Sequence, residues 1–281
     1  RRSPTPSAGT KLFSIRIPRF WRGERLKASS RPDAADVLPV GPVTRSMCGR
    51  YTLTTPAGDL EERFGASFED PPEPRYNCAP GQSLPVVAAD DPDRFQAFEW
   101  GLIPSWADDA SVGNDLINAR AETVDEKPSF AESFERRRCL VPADGFYEWV
   151  REGGGKQPYR VRLADDRPFA MAGLWDRWEP THTQTGLGDF GAGGGANGDP
   201  DVVESFTIVT TEPNDVVADL HHRMAVVLAP DEEPTWLHGD AEEAAELLDP
   251  HPGDGWEAYP VSTRVNSPAN DARDLIEPVE G

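Results

Sequence analysis

Residues 138–163 read RCLVPADGFYEWVREGGGKQPYRVRL, and this stretch decides the fold class. Arg138–Val141 and Gly145–Val150 are short apolar or alternating runs, set apart by Pro142 and by Asp144-Gly145. Glu152-Gly153-Gly154-Gly155 is a glycine turn and Tyr159–Leu163 resumes the alternation, so the last two runs form a hairpin. A period of two puts Phe146, Glu148 and Val150 on one face and Tyr147 and Trp149 on the other. A carboxylate amid aromatic rings resists ionisation, which suits proton transfer near neutral pH. The plainer alternative is a carboxylate at a sheet edge or one paired with an arginine.

Working outward, further strands are expected at Phe95–Ile103, Phe169–Trp175, Ser205–Thr210, Met224–Leu228 and Trp256–Val261. Helices are fewer. Thr55 as N-cap, Pro56 at the first helical position, Leu60 and Phe64 four apart, and Gly65 predict one. Ser129 and Glu132 predict a capping box ahead of Phe130 and Phe134. Asp240 through Leu248, stopped by Pro250, predicts a third. The expected fold is α+β, a single compact domain whose short, mostly antiparallel strands form a barrel-like β core with a few flanking helices. Residues 180–203, dominated by Gly, Asn, Asp and Thr, are expected to be a flexible Gly-rich surface insertion. Their Gly191–Gly195 run lacks the Lys-Ser/Thr of a phosphate loop.

Of the 281 residues, 1–46 carry ten Lys/Arg against three Asp/Glu, a net of +7; this leaves 18 basic and 46 acidic residues, net −28, for 47–281. A globular part so acidic, with Lys127 and Lys156 its only lysines, suits a protein kept hydrated in concentrated salt. Cys48, Cys78 and Cys139 form no C-x-x-C pair, which argues against a disulfide framework or a zinc knuckle. A reducing, cytoplasmic compartment and no membrane association are expected, since no apolar run reaches the roughly 18 residues of a bilayer span. Residues 1–46 have no consistent period and are expected to be a disordered basic extension; a transit peptide is the alternative. Met47 is the first methionine, so the favoured reading is that the working protein lacks this segment and that 47–281 is the functional domain.

The chemistry begins at Met47-Cys48-Gly49-Arg50-Tyr51. Loss of Met47 leaves a free α-amine, with a reference pKa of roughly 7.7–8, beside the Cys48 thiol. Such an aminothiol condenses with an aldehyde to a Schiff base and then closes to a thiazolidine. A small buried strand cysteine is the bland reading. Asn118-Ala119-Arg120 places an amide and a guanidinium on one face of an extended segment, where they can hold a sugar atom and a phosphate, or stitch two strands. His221-His222, if extended, point opposite ways, so one of them faces a site. The pair has no i,i+4 histidine or cysteine cluster to make a metal site. Arg75–Gln82 and Trp100–Trp106 each end in a rigid loop whose Pro80 or Trp106 can wedge against bases, although such residues are more often core.

Taken in order, Met-Cys-Gly-Arg-Tyr at 47–51, Arg-Tyr-Asn-Cys-Ala-Pro-Gly at 75–81, Trp-Gly-Leu-Ile-Pro-Ser-Trp at 100–106, Ile-Asn-Ala-Arg-Ala-Glu-Thr at 117–123, Asp-Gly-Phe-Tyr-Glu-Trp at 144–149, Leu-His-His-Arg-Met at 220–224 and Val-Ser-Thr-Arg-Val-Asn at 261–266 resemble the SRAP family of SOS-response-associated peptidases. The resemblance implies covalent capture of abasic sites in single-stranded DNA through a thiazolidine on N-terminal Cys48. It assigns Asn118 to holding the sugar, Glu148 to orienting the amine and moving protons, and His221 to acid/base work. Arg50, Asn77, Pro80, Trp106, Arg120 and Arg223 make the DNA-binding set. It further implies autoproteolytic exposure of Cys48, a lyase activity, a monomer served by the replication machinery, and no metal or cofactor. The chain departs from the pattern at Ala225, where proline is expected, and in the 47 residues preceding the cysteine. The competing readings are a thiol peptidase acting on other proteins and a non-covalent single-strand DNA damage-binding module.

Overall fold

Short alternating runs broken by Gly, Pro and Asp leave little room for long elements, and the chain folds accordingly into many brief strands. The computed structural model describes residues 49–152, 154–180 and 202–279, without the side chain of Glu152. Cys48, the expected extension 1–46 and most of the expected 180–203 insertion lie outside the described residues. The chain runs β1 (Tyr51–Leu53), α1 (Ala57–Phe64), β2 (Arg75–Cys78), β3 (Ser83–Ala88), β4 (Phe95–Trp100), β5 (Asn118–Arg120) and α2 (Ala131–Arg136). It continues through β6 (Arg138–Ala143), β7 (Gly145–Glu152), β8 (Gly155–Leu163), β9 (Phe169–Trp178) and β10 (Val203–Thr211). The last elements are α3 (Asp215–Ala218), β11 (Met224–Ala225), β12 (Val227–Leu228), α4 (Glu233–His238), α5 (Ala241–Ala245) and β13 (Trp256–Pro260).

Five strands close into a barrel. β4 pairs with β3, β3 with β6, β6 with β9 and β9 with β10, all antiparallel, and β10 completes the ring by lying parallel to β4. Closure removes the free edges that an open sheet would expose. β6 and β9 approach tightly: a Cβ on Gly173 would lie 2.7 Å from both Cys139 Sγ and Val141 Cγ2, so glycine is required there. The main apolar cluster includes Leu84, Val86, Phe98, Trp100, Leu174 and Phe206, all buried. Truncating Phe98 to alanine would cost about 3–5 kcal/mol.

A second, wholly antiparallel sheet has the order β13-β8-β7-β1-β2. Tyr51 of β1 rests on Trp100 of β4, ring centroids 5.2 Å apart, which joins this sheet to the barrel. The alternation expected in β7 is observed. Phe146 enters the main cluster, whereas Tyr147 and Trp149 pack with Val261, Val265 and Leu275 of the segment 261–279 on the opposite face. The hairpin is also as expected: Glu152 pairs with Gly155 across the two-residue turn, with Gly154 at φ 87°.

Several local expectations are corrected. Pro56 caps α1 without a side-chain bond, because the Thr55 hydroxyl donates to Asp144 instead. Gly65 does end that helix, in the left-handed conformation. No side-chain cap forms at α2, and Glu132 pairs with Arg137 at 3.0 Å. The run Met224–Leu228 is two strands, not one. Val226 donates to Val209 O and its own carbonyl accepts from Ala172, so the chain changes partner there from β10 to β9. The helix expected over Asp240–Leu248 is confined to Ala241–Ala245, capped by a reciprocal Asp240/Glu243 box.

Candidate active site

Three groups of side chains assemble around the second sheet and the β10 edge. In the first, Glu148 on β7 is 1% exposed, and its Oε2 lies 3.8 Å from His221 Nδ1, an ion-pair distance longer than a hydrogen bond. His221 follows α3, where its N–H donates to Val217 O at 2.8 Å. Its Nδ1 lies 3.1 Å from Arg223 O and 3.3 Å from Arg223 N. One nitrogen cannot donate to the carbonyl and accept from the N–H at once, so the tautomer decides which contact is made. The expectation that His221 and His222 point opposite ways fails. The segment bends, and the two rings sit 4.3 Å apart, His221 half-buried and His222 exposed.

In the second group, β5 lies parallel to β10, with Ile208 beside Asn118 and Thr210 beside Arg120, and β11 flanks β10 with Ala225 beside Thr210. Ala119 is buried, so Asn118 and Arg120 share the other face, as their spacing predicts. Arg223 is buried and already engaged: it donates to Thr210 O at 2.5 Å and forks onto both carboxylate oxygens of Glu122. That bond holds the Glu122 carboxyl below its ordinary range, with the nearby Arg120 charge adding to the effect.

In the third group, Arg50 donates to Val265 O at 2.7 Å and to Asn77 Oδ1 at 3.1 Å, and partial burial lowers its pKa. Asn77 has no exposed surface. Its amide nitrogen donates to Ser267 O at 3.0 Å and Asn270 O at 2.8 Å, so it holds the segment 261–279 and Arg50 in place. Asn77, expected in the DNA-binding set, thus ties this segment to β2.

Two loops carry Pro80 and Trp106. Gly81 N–H donates to Trp100 O at 2.8 Å, so the half-buried Pro80 sits beside the root of the second loop. Gly101, at φ 135°, starts that loop, and a Cβ there would lie 2.6 Å from Gly113 O. Ser105 N–H donates to Asp176 Oδ2 at 2.9 Å and Ala107 O accepts from Trp178 Nε1 at 2.7 Å. Between these anchors Trp106 stands 59% exposed. An exposed tryptophan on a rigid loop is what stacking on a base requires.

The sequence model of the SOS response associated peptidase (SRAP) family matches residues 47–268. The chain belongs to this family. It is 39% identical over 239 residues to the abasic site processing protein YoqW of Bacillus subtilis, covering 82% of this chain and 99% of that protein. It is 31% identical to the abasic site processing protein YedK of Escherichia coli, covering 83% and 100%. To the abasic site processing protein HMCES of Gallus gallus it is 32% identical, covering 83% and 78%. A solved protein from Bacteroides thetaiotaomicron superposes with a TM-score of 0.71 at 28% identity, covering 83% of this chain and all of that one.

Two side chains of this SRAP domain escaped sequence reasoning. Glu122 lies inside a quoted motif, but nothing in the chain order shows that it pairs with a residue 101 positions away. Asp144, read only as a strand boundary, is buried against Arg160 at 3.2 Å and accepts from Thr52, Thr54 and Thr55. Its signal was the Thr52-Leu53-Thr54-Thr55 run, hydroxyls with no other evident use. Among the described residues no His, Cys, Asp and Glu group is arranged to hold a metal ion, and no helix is long and apolar enough to cross a membrane.

Proposed function

We propose that this protein processes abasic sites in single-stranded DNA by capturing them covalently on Cys48, once Cys48 is the first residue. The observation that carries the reading is the joint placement of Glu148, His221 and the start of β1. Tyr147 N–H donates to Arg50 O at 3.0 Å, next in the chain to Glu148, whose carboxylate meets His221. Cys48 is two residues before Arg50 in the chain. In this reading the aminothiol works with that carboxylate and imidazole.

In the proposed reaction the neutral α-amine of Cys48 adds to the aldehyde carbon of the opened sugar. Loss of one water gives the iminium ion. The thiolate then adds to the same carbon and closes the five-membered ring, so a C–N and a C–S bond form and one water leaves. Glu148 takes the proton released by the amine and passes it to the aldehyde oxygen, the proton given up by the thiol completes the water that leaves, and His221 acts as acid and base on the sugar oxygens. Asn118 holds the sugar, Arg50, Arg120 and Arg223 meet phosphates, and Pro80 and Trp106 stack against a kinked strand. The names of the relatives, each an abasic site processing protein, support the substrate class. Residues 47–281 form the working domain in this reading, as a cytoplasmic monomer. Exposure of the Cys48 amine requires either a start at Met47 or cleavage between Met47 and Cys48; autoproteolysis and a lyase step are the accompanying activities proposed.

The test uses two forms, one beginning at Met47 and one with all 281 residues, each incubated with single-stranded DNA holding one abasic site. A denaturing gel and intact mass should reveal a stable adduct from the short form that is lost in Cys48→Ala. The mass of the long form reports whether it is cut ahead of Cys48. Blocking the α-amine separates the readings: capture stops, whereas a thiol peptidase would remain active. Absence of adduct from the folded short form, in both low and molar salt, would remove the proposal.

A further inference from the structure

Two exposed cations of the described surface face each other on one strand pair. Most arginines have a carboxylate within 4.0 Å, as in Arg63–Glu233, Arg94–Glu69, Arg162–Glu257, Arg177–Glu179 and Arg264–Asp274. Arg151 and Lys156 do not, and neither do the exposed Arg120, Lys127 and Arg273, among the described residues. Arg151 and Lys156 sit directly opposite each other on β7 and β8, both exposed, next to the turn. Like charges facing across a ladder repel, and a chain with a net charge of −21 has acidic side chains in abundance that could relieve them. Nothing in the folding of the hairpin requires the pair.

This face of β7, opposite the one Glu148 occupies, leads back to Arg50 of the candidate site. Tyr147, Trp149 and Arg151 alternate onto it, and Arg50 reaches it from β1. Arg50 and Trp149 touch the same residue: Arg50 Nη2 donates to Asn266 O at 3.4 Å and Trp149 Nε1 to Asn266 Oδ1 at 2.7 Å. Trp149 stays half-buried. From the level of Tyr147 to that of Arg151 is about 13 Å of strand. A guanidinium, an indole and a paired cationic tip thus follow one another along one line.

Building on the proposed function, we infer that the β7–β8 hairpin tip is a second contact for the DNA strand, with Arg151 and Lys156 binding phosphodiester groups that flank the captured nucleotide and Trp149 lying between them and Arg50. The occupant is the strand's backbone, so the contact is independent of base sequence and of the lesion.

The experiment measures reversible binding of the full 281-residue chain to an undamaged single strand, which has no aldehyde to capture, across a salt series. Each phosphate contact contributes about 0.7 to the slope of log affinity against log salt. Arg151→Gln with Lys156→Gln should lower that slope by about 1.4, so the unchanged chain loses about 7-fold more affinity than the variant between 50 and 200 mM salt. Arg167→Gln, which removes an exposed arginine beside Asp165 elsewhere, should leave the slope unchanged. A strand cut too short to reach the tip should no longer distinguish the double variant. An unchanged slope in the double variant, or an equal change in Arg167→Gln, would overturn the inference. Adduct yield on abasic DNA is read separately: its absence from every form would sink covalent capture and leave the slope result standing.

Discussion

The two ends of one buried stretch, Asp144 and Glu148, hold carboxylates in opposite circumstances. Asp144 accepts from the Thr52 hydroxyl at 2.6 Å, from Thr55 N–H at 2.8 Å and hydroxyl at 3.0 Å, and from the N–H and hydroxyl of Thr54. Arg160 lies against it at 3.2 Å, both side chains about 4% exposed. Four residues along, Glu148 is as deeply buried, and its Oε2 lies 3.8 Å from His221 Nδ1. A carboxylate whose two oxygens are both held by donors from β1, the threonines after it and β8 ties those segments together, so it serves geometry. One beside a titratable ring at relaxed distance is suited to moving protons. The contrast separates the residue that holds β1 from the residue proposed to act on its first amino acid.

Asp144→Ala should show the largest effect. It strands the Arg160 charge and the threonine donors in the interior, and the expected loss is about 3–5 kcal/mol, read from denaturant unfolding. A variant as stable as the parent would break the assignment of Asp144 to structure. Glu148→Gln should do the reverse. Unfolding stays close to the parent, while the rate of adduct formation on abasic single strands falls about 100-fold or more, followed by gel at saturating protein. If both rate and stability fell together, the two carboxylates would not differ in kind.

A third measurement uses the carboxylate of the β10 edge. Arg223 lowers the Glu122 pKa, so their contribution to stability is complete above the ordinary glutamate range and is lost as pH falls through the lowered value. Glu122→Gln should therefore be less stable than the parent near neutral pH, and the difference should shrink toward zero in acid. A difference that grows in acid would show that the pair does not act in this way. The smallest effect is expected from exposed acids far from the site. Replacing Glu135 and Asp165 by their amides should change solubility in molar salt and leave adduct yield unaltered, because at about 1 M salt the Debye length is only about 3 Å.

Much of the second sheet was legible because its strands are bounded by strong local signals. The turn at 152–155 and the alternation through Phe146, Glu148 and Val150 needed nothing beyond the chain itself. β3 was missed, since Pro85 argues against a strand interior; it is tolerated where β3 pairs with β4 alone, before β6 joins at Val87. β1 and β5, three residues each, are too short for any period to register. The parallel pairings of β10 with β4 and β5 join residues 106 and 90 positions apart and leave no trace in local composition.

The seven ordered motifs, the face of β7 that Glu148 occupies and the shared face of Asn118 and Arg120 follow from residue order, because strand periodicity is a local property of the backbone. Closure of the barrel, the close approach of the His221 and His222 rings, the burial of Asn77 and the capture of Arg223 by Glu122 came only with the tertiary structure. Each depends on which distant segments share the interior, and in a dense, low-dielectric core that choice decides whether a polar side chain is a ligand, a proton carrier or a tie.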